Sequence, residues 1–215
     1  MKFLLRLVLF WLAVNLTACS SMYYKGLEKI GIPKREVMVH RVEKARDTQQ
    51  ETKQQFKSAL EQFTAATQFK GGDLEATYNK LNAEYEASVK QADEVKKRIS
   101  DIEDVSEALF SEWEKELSEY SNAALRQNSQ QKLVATRQHY KQLITAMHQA
   151  ETKIEPVLSV FRDQVLFLKH NLNAQAIASL KGQLGSVQSD VTALVAAMEK
   201  SINEADAFIR TMEKQ

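Results

Sequence analysis

Leu74–Asn122 reads LEATYNKLNAEYEASVKQADEVKKRISDIEDVSEALFSEWEKELSEYSN and contains no glycine or proline. In alternating three- and four-residue steps it carries Tyr78, Tyr85, Ala92, Ile99, Trp113 and Tyr120 on one line. The other line holds Leu74, Leu81, Val95, Ile102 and Leu109. Apolar residues at that period form the seam of a long helix packed against other helices. Ser88, Ser106 and Glu116 interrupt the seam.

The same period extends outward from this stretch. The run before it offers Met38, Val42, Ala45, Phe56, Ala59, Phe63 and Ala66. The run after it offers Leu133, Tyr140, Met147, Ile154, Phe161 and Leu168, and a last run offers Val187, Val191, Leu194, Met198, Ala205, Phe208 and Met212. Breakers fall at Gly71-Gly72-Asp73, at 121–130 (SNAALRQNSQ) and at Lys181–Ser186 (KGQLGS), with Asp73 placed to cap the helix that follows it. Four helical runs result, near 34–70, 74–122, 130–180 and 187–214. Pro156 lies inside the third, where it removes a backbone donor and is expected to bend the helix without ending it.

Facing residues of an antiparallel pair have a constant sum of residue numbers. The seams allow 144 for the first pair of runs (Phe63 opposite Leu81) and 253 for the second (Trp113 opposite Tyr140). They allow 366 for the third (Leu172 opposite Leu194), each fixed only to within a multiple of seven. All three constants centre on a breaker. The expected fold is therefore all-α: an elongated up-down-up-down antiparallel helical bundle or coiled coil. Residues 105–150 are expected to protrude from it as a two-helix arm.

Composition narrows the class further. The chain has 215 residues with 6 glycines, 2 prolines and 1 cysteine, and 44% of it is hydrophobic. So few turn residues disfavour a β-sandwich or barrel, and one cysteine excludes an internal disulfide or a multi-cysteine metal site. A net charge of +1 shows no basic excess of the kind that marks nucleic-acid binding.

Residues 1–18 differ from the rest. Lys2 and Arg6 precede an apolar run from Leu7 to Leu16, and Leu16, Thr17 and Ala18 lead into Cys19. A short apolar core behind a positive start and ahead of small residues is a secretory signal pattern, too short to span a bilayer. The tetrad resembles the lipobox of bacterial lipoproteins, which implies cleavage before Cys19 and lipidation of its thiol. Ser20 and Ser21 follow where an Asp would imply inner-membrane retention, so the resemblance implies the outer membrane. Loss of Lys2 and Arg6 moves the formal charge from +1 to −1. The expected organisation is a cleaved leader at 1–18, a lipidated tether at 19–33 and a helical-bundle domain at 34–215. Tyr23, Tyr24, Leu27, Ile30 and Ile32 in the tether are expected to pack on the arm, with the lipid interface as the alternative.

Candidate chemistry is sparse. Glu116 and Arg137 face each other in the 253 register as a partly buried ion pair, structural in preference to ligand-binding. The acidic cluster Glu112, Glu114, Glu116 and Glu119, with Lys115 interleaved, reads as a solvated face. His40, His139, His148 and His170 share no helical ligand spacing, and no metal or cofactor is expected. His170 is the most notable of the four, though still read as surface. Tyr78, Tyr85, Trp113, Tyr120 and Tyr140 form an aromatic line, read as core first and as a candidate interaction surface second.

The segments YYKGLEKIGIPKREVMVHRVEKARD, LFSEWEKELSEYSN and KHNLNAQAIASL resemble a bacterial lipoprotein family catalogued as domain of unknown function 2959 (DUF2959). The resemblance implies an all-helical, lipid-anchored envelope protein and brings no activity or functional residues with it. The expected role is that of a non-catalytic, outer-membrane-anchored periplasmic lipoprotein acting as a scaffold or adaptor in the cell envelope. The alternative is a periplasmic binding module or holdase chaperone for lipid or unfolded outer-membrane proteins. The expected partners are the membrane, through the anchor, and an envelope protein, with homo-oligomers left open.

Overall fold

The computed structural model describes residues 23–24 and 26–214. Five helices follow in order: α1 (Lys34–Thr67), α2 (Leu74–Glu116), α3 (Ala123–Glu151), α4 (Ile154–His170) and α5 (Ala174–Glu213). At 1.5 Å per residue, α2 and α5 are roughly 65 and 60 Å long.

Helix α1 packs on α2 and α5, while α3 and α4 pack on α2 and α5 from the opposite side. With α3 and α4 counted as one column, this is a four-cornered bundle, and α1 faces that column across the diagonal. Phe63 and Phe161 stack across the diagonal with ring centroids 5.7 Å apart. One continuous core runs through it, from Met38, Phe56 and Phe63 of α1 to Leu194, Met198 and Phe208 of α5. Burial of this apolar surface supplies the main stabilisation.

The first hairpin follows the sequence reading. Hydrogen bonds join Arg41 to Asp101, Thr52 to Gln91 and Ser58 to Glu84, pairs that sum to 142, 143 and 142 against the expected 144. Gly71 and Gly72 take φ of 141° and 119°, values that suit only glycine, and the Asp73 carboxylate accepts from Ala76 N–H at 3.1 Å. The second hairpin is slipped slightly: His148–Glu103 and Arg137–Glu114 both sum to 251, not 253.

The third turn lies elsewhere than expected. KGQLGS is helical, and the chain reverses at Asn171–Asn173, where the Asn173 side chain caps α5 by accepting from Gln175 and Ala176 N–H. Gln164 and Ser179 are hydrogen-bonded and sum to 343. That lies close to 345, which is 366 lowered by three heptads. The seam could not distinguish these alternatives, and glycine in an exposed helix costs only about 1 kcal/mol, too little to stop a long amphipathic helix.

Two further expectations are corrected. Pro156 does end a helix. Its ring excludes the carbonyl of Thr152 from a helical bond, and residues 152–153 form a turn between α3 and α4. The arm is also shorter than 105–150. Because α5 starts early, it continues to Met212 beside Arg35 and Trp113. Only the α2–α3 tip projects, and between Glu114 and Lys132 every residue except Leu117 and Ser129 is exposed.

Candidate functional site

The end of the bundle that carries this tip also receives the N-terminal segment. Residues 26–29 form a helical turn that Gly31 closes with a φ of 86°. Gly31 N–H donates to Glu28 C=O and Ile32 N–H to Leu27 C=O, both at 3.0 Å. This left-handed cap reverses the chain into α1. The segment thus runs back along the bundle, and Tyr24 enters the core between α1 and α2 with 1% of its surface exposed.

Tyr24 is held from two directions. Arg41 Nη1 donates to its hydroxyl at 2.6 Å, and the guanidinium lies 5.3 Å from the ring centroid. Arg41 also donates to the Asp101 carbonyl, which ties the contact to α2. Burial pushes the Tyr24 phenol up, although Arg41 opposes that. Ten residues later, buried Lys34 bridges Glu28 of the segment and Glu112 of α2, the latter at 2.9 Å. Burial alone would lower the Lys34 ammonium, but its bonds to Glu28 and Glu112 outweigh that and raise it. The segment therefore packs on the bundle body and not on the arm. Leu27 lies against the core, while Tyr23, Ile30 and Ile32 are exposed.

Beside α1's first turn is a cleft of about 460 Å³ between the tip and the end of α5. Trp113, Tyr120, Leu125 and Met212 give it an apolar floor, and Arg35, Lys132, Glu112 and Glu116 rim it. Trp113 Nε1 donates to Ser129 Oγ at 2.8 Å, which fixes the indole across the hairpin. The Glu116 carboxyl sits above the usual carboxylate range, through partial desolvation first and then through Glu112, Glu119 and Glu28.

The sequence candidates are distributed unevenly. Leu16, Thr17, Ala18 and Cys19 lie outside the described residues. The aromatic line does not form one groove. Tyr78 and Tyr85 pack on the core at half-burial, Tyr140 meets Phe110 edge-on at 5.4 Å, and Trp113 and Tyr120 line the cleft.

The Glu116–Arg137 pairing is corrected. Arg137 bonds Glu114 at 2.6 Å and lies over the Phe110 ring, on the exposed face of the hairpin. The two-residue slip in register brings Glu114 into the place expected for Glu116.

The histidine of interest is His148, not His170. Its Nε2 is 2.9 Å from Glu103 and its Nδ1 2.8 Å from Glu151. Partial burial would lower its pKa, but the two carboxylates outweigh this and raise it. Glu151, three residues on, was visible in the sequence; Glu103 needed the α2–α3 register. Among the described residues no group of three or more His, Cys, Asp or Glu side chains is placed to hold a metal ion. Among them, too, no helix is long and apolar enough to cross a membrane.

No curated protein matches the chain. A family model does: residues 23–212 match it, a span that begins beside the docked Tyr24 and ends at Met212 in the cleft. The chain belongs to the family described as protein of unknown function (DUF2959).

Proposed function

We propose that this protein is a non-catalytic scaffold or adaptor of the bacterial cell envelope, lipidated at Cys19 and held at the periplasmic face of the outer membrane. The observation that carries the reading is the docking of Tyr24. It lies five residues after Cys19 and is 1% exposed in the bundle core. Lipid on Cys19 would then hold a rigid bundle at the bilayer, and not a domain swinging on a loose tether. A rigid bundle with a projecting hairpin suits the presentation of a docking surface at a fixed height. The LTAC tetrad and the serines at 20 and 21 support the address.

The test is crosslinking and co-purification from envelopes, with Cys19→Ser as the control. The reading expects the wild-type protein in the membrane fraction with an enriched envelope protein, and the variant in the soluble fraction. Wild-type protein that fractionates with soluble proteins overturns the anchor. Anchored protein with no enriched neighbour overturns the scaffold role.

The cleft at the hairpin favours a second reading, a binding module or holdase, because Trp113, Tyr120 and Leu125 offer apolar surface beside charged groups. A soluble form starting after Cys19 would then suppress aggregation of an unfolded outer-membrane barrel. Tyr120→Ser with Leu125→Ser would abolish that effect.

A further inference from the structure

The geometry points to the hairpin end as a membrane-contact surface: Ile30, Ile32, Tyr120 and Leu125 rest in the headgroup region of the bilayer that holds the anchor. This inference rests on lipidation of Cys19.

Two lengths carry it. Five residue steps separate Cys19 from Tyr24, so the thiol can lie at most about 18 Å from that point. Tyr24 is fixed beside Arg41, seven residues into α1, or roughly 10 Å from the start of that helix. Lys34 and Glu112 mark the same level on α1 and α2. The hairpin continues from Glu112 past Tyr120, a further 10 Å or so. The tip therefore stands about 20 Å from Tyr24, close to the full reach of the tether. Acyl chains on Cys19 cannot enter a bilayer while an upright bundle stands clear of it. The opposite end of α1, at Thr67, lies about 39 Å from Arg41 and beyond that reach, so the tip is the end drawn to the lipid surface.

The composition of that end fits the contact. Of the eight large apolar residues exposed among the described ones, four lie here: Ile30 at 72%, Ile32 at 36%, Tyr120 at 39% and Leu125 at 56%. Tyr and aliphatic side chains on a turn and a hairpin tip suit the headgroup–acyl boundary. The tip's exposed charges are Glu114, Lys115, Glu116, Glu119, Arg126 and Lys132, which balance and leave no cationic excess. The contact is thus apolar, indifferent to anionic lipid and to salt.

The test uses the lipidated protein in phosphatidylethanolamine vesicles containing lipids brominated near the headgroup. Trp11 leaves with the leader, so Trp113→Phe clears the background. Leu125→Trp then reports from the tip and Leu172→Trp from the opposite end of the bundle. The expected result is about twofold quenching of the Leu125→Trp reporter, as for a ring lying 5–10 Å deep, and none of the other. Quenching should survive 0.5 M salt. A diacylated Cys19 in the mass spectrum together with an unquenched Leu125→Trp reporter overturns this inference and leaves the anchor standing. Crosslinking of the tip to a second copy in the vesicles, without quenching, overturns it likewise. Absence of lipid on Cys19 overturns the anchor reading and this inference with it.

Discussion

Replacing Gly182 and Gly185 with alanine, singly and together, should raise the stability of the bundle. Both glycines lie inside α5, are exposed and have no positive φ. A methyl group at either position would meet no atom within 4 Å, so no steric cost offsets the gain. Alanine in an exposed helix interior is favoured over glycine by about 1 kcal/mol, so the pair should contribute about 2 kcal/mol. For a domain of this size that is an increase in Tm of roughly 4–8 °C, with the singles near half. Circular dichroism at 222 nm during thermal and urea unfolding measures it, and an unchanged urea m-value shows that the unfolded state has not altered. A fall in Tm for either single variant would refute the reasoning. It would mean that KGQLGS turns, with a glycine in the left-handed region, and that the helix starting at Asn173 is wrong.

Other perturbations test other parts of the bundle. Gln49 is buried with neither amide atom bonded among the described residues, as is the hydroxyl of Ser201. Gln49→Met and Ser201→Ala should each raise the unfolding free energy by about 1 kcal/mol, read as a higher urea midpoint, because an unsatisfied buried polar group is removed. His148 gains stability from Glu103 and Glu151 when protonated. Its raised pKa makes that gain complete below about pH 6.5 and lost as the pH rises through the folded value. His148→Gln should therefore flatten the decline in stability as the pH rises above about 6.5; with the ring nearly half exposed, the effect is under about 1 kcal/mol. Glu114→Gln should break the pair with Arg137 and slightly lower the Tm. Glu116→Gln should leave it unchanged or raise it, because the Glu116 carboxylate faces like charges. Tyr24→Ala should cost about 3 kcal/mol by opening a core cavity, and Tyr24→Phe about 1 kcal/mol by removing the hydroxyl bonded to Arg41.

What was legible in the sequence follows physical lines. The first hairpin was readable because its turn needs φ values that only glycine supplies and its helix start needs a carboxylate cap. Gly71, Gly72 and Asp73 are chemically specific, and they fix the register to within two residues. The third turn was not readable, because Asn171–Asn173 turns without glycine. Lys181–Ser186 looked like a breaker, yet its helix is held by the burial of Ile177, Leu180, Val187 and Val191 on either side. The break at 152–153 was signalled by Pro156, but a seam that continues through it hid the turn. Arg137 was found as a pairing residue and given the wrong partner, because the hairpin settles two residues away from the register that the seam positions alone suggest. Tyr24 was missed as a core residue because a segment of ten residues has no periodicity to read. Its burial depends on Arg41 and Asp101, far along the chain.

The central claim is that the turn before α1, from Leu27 to Ile32, is part of the bundle and not a free tether. Amide hydrogen exchange at Leu27–Ile32 tests it most directly, in the full-length protein and in a form starting after Cys19. The account predicts protected Gly31 and Ile32 amides in both forms, with protection lost in Tyr24→Ala while α2 and α5 stay protected. Exchange of these two amides at the rate of an unstructured peptide in the wild-type protein would contradict it.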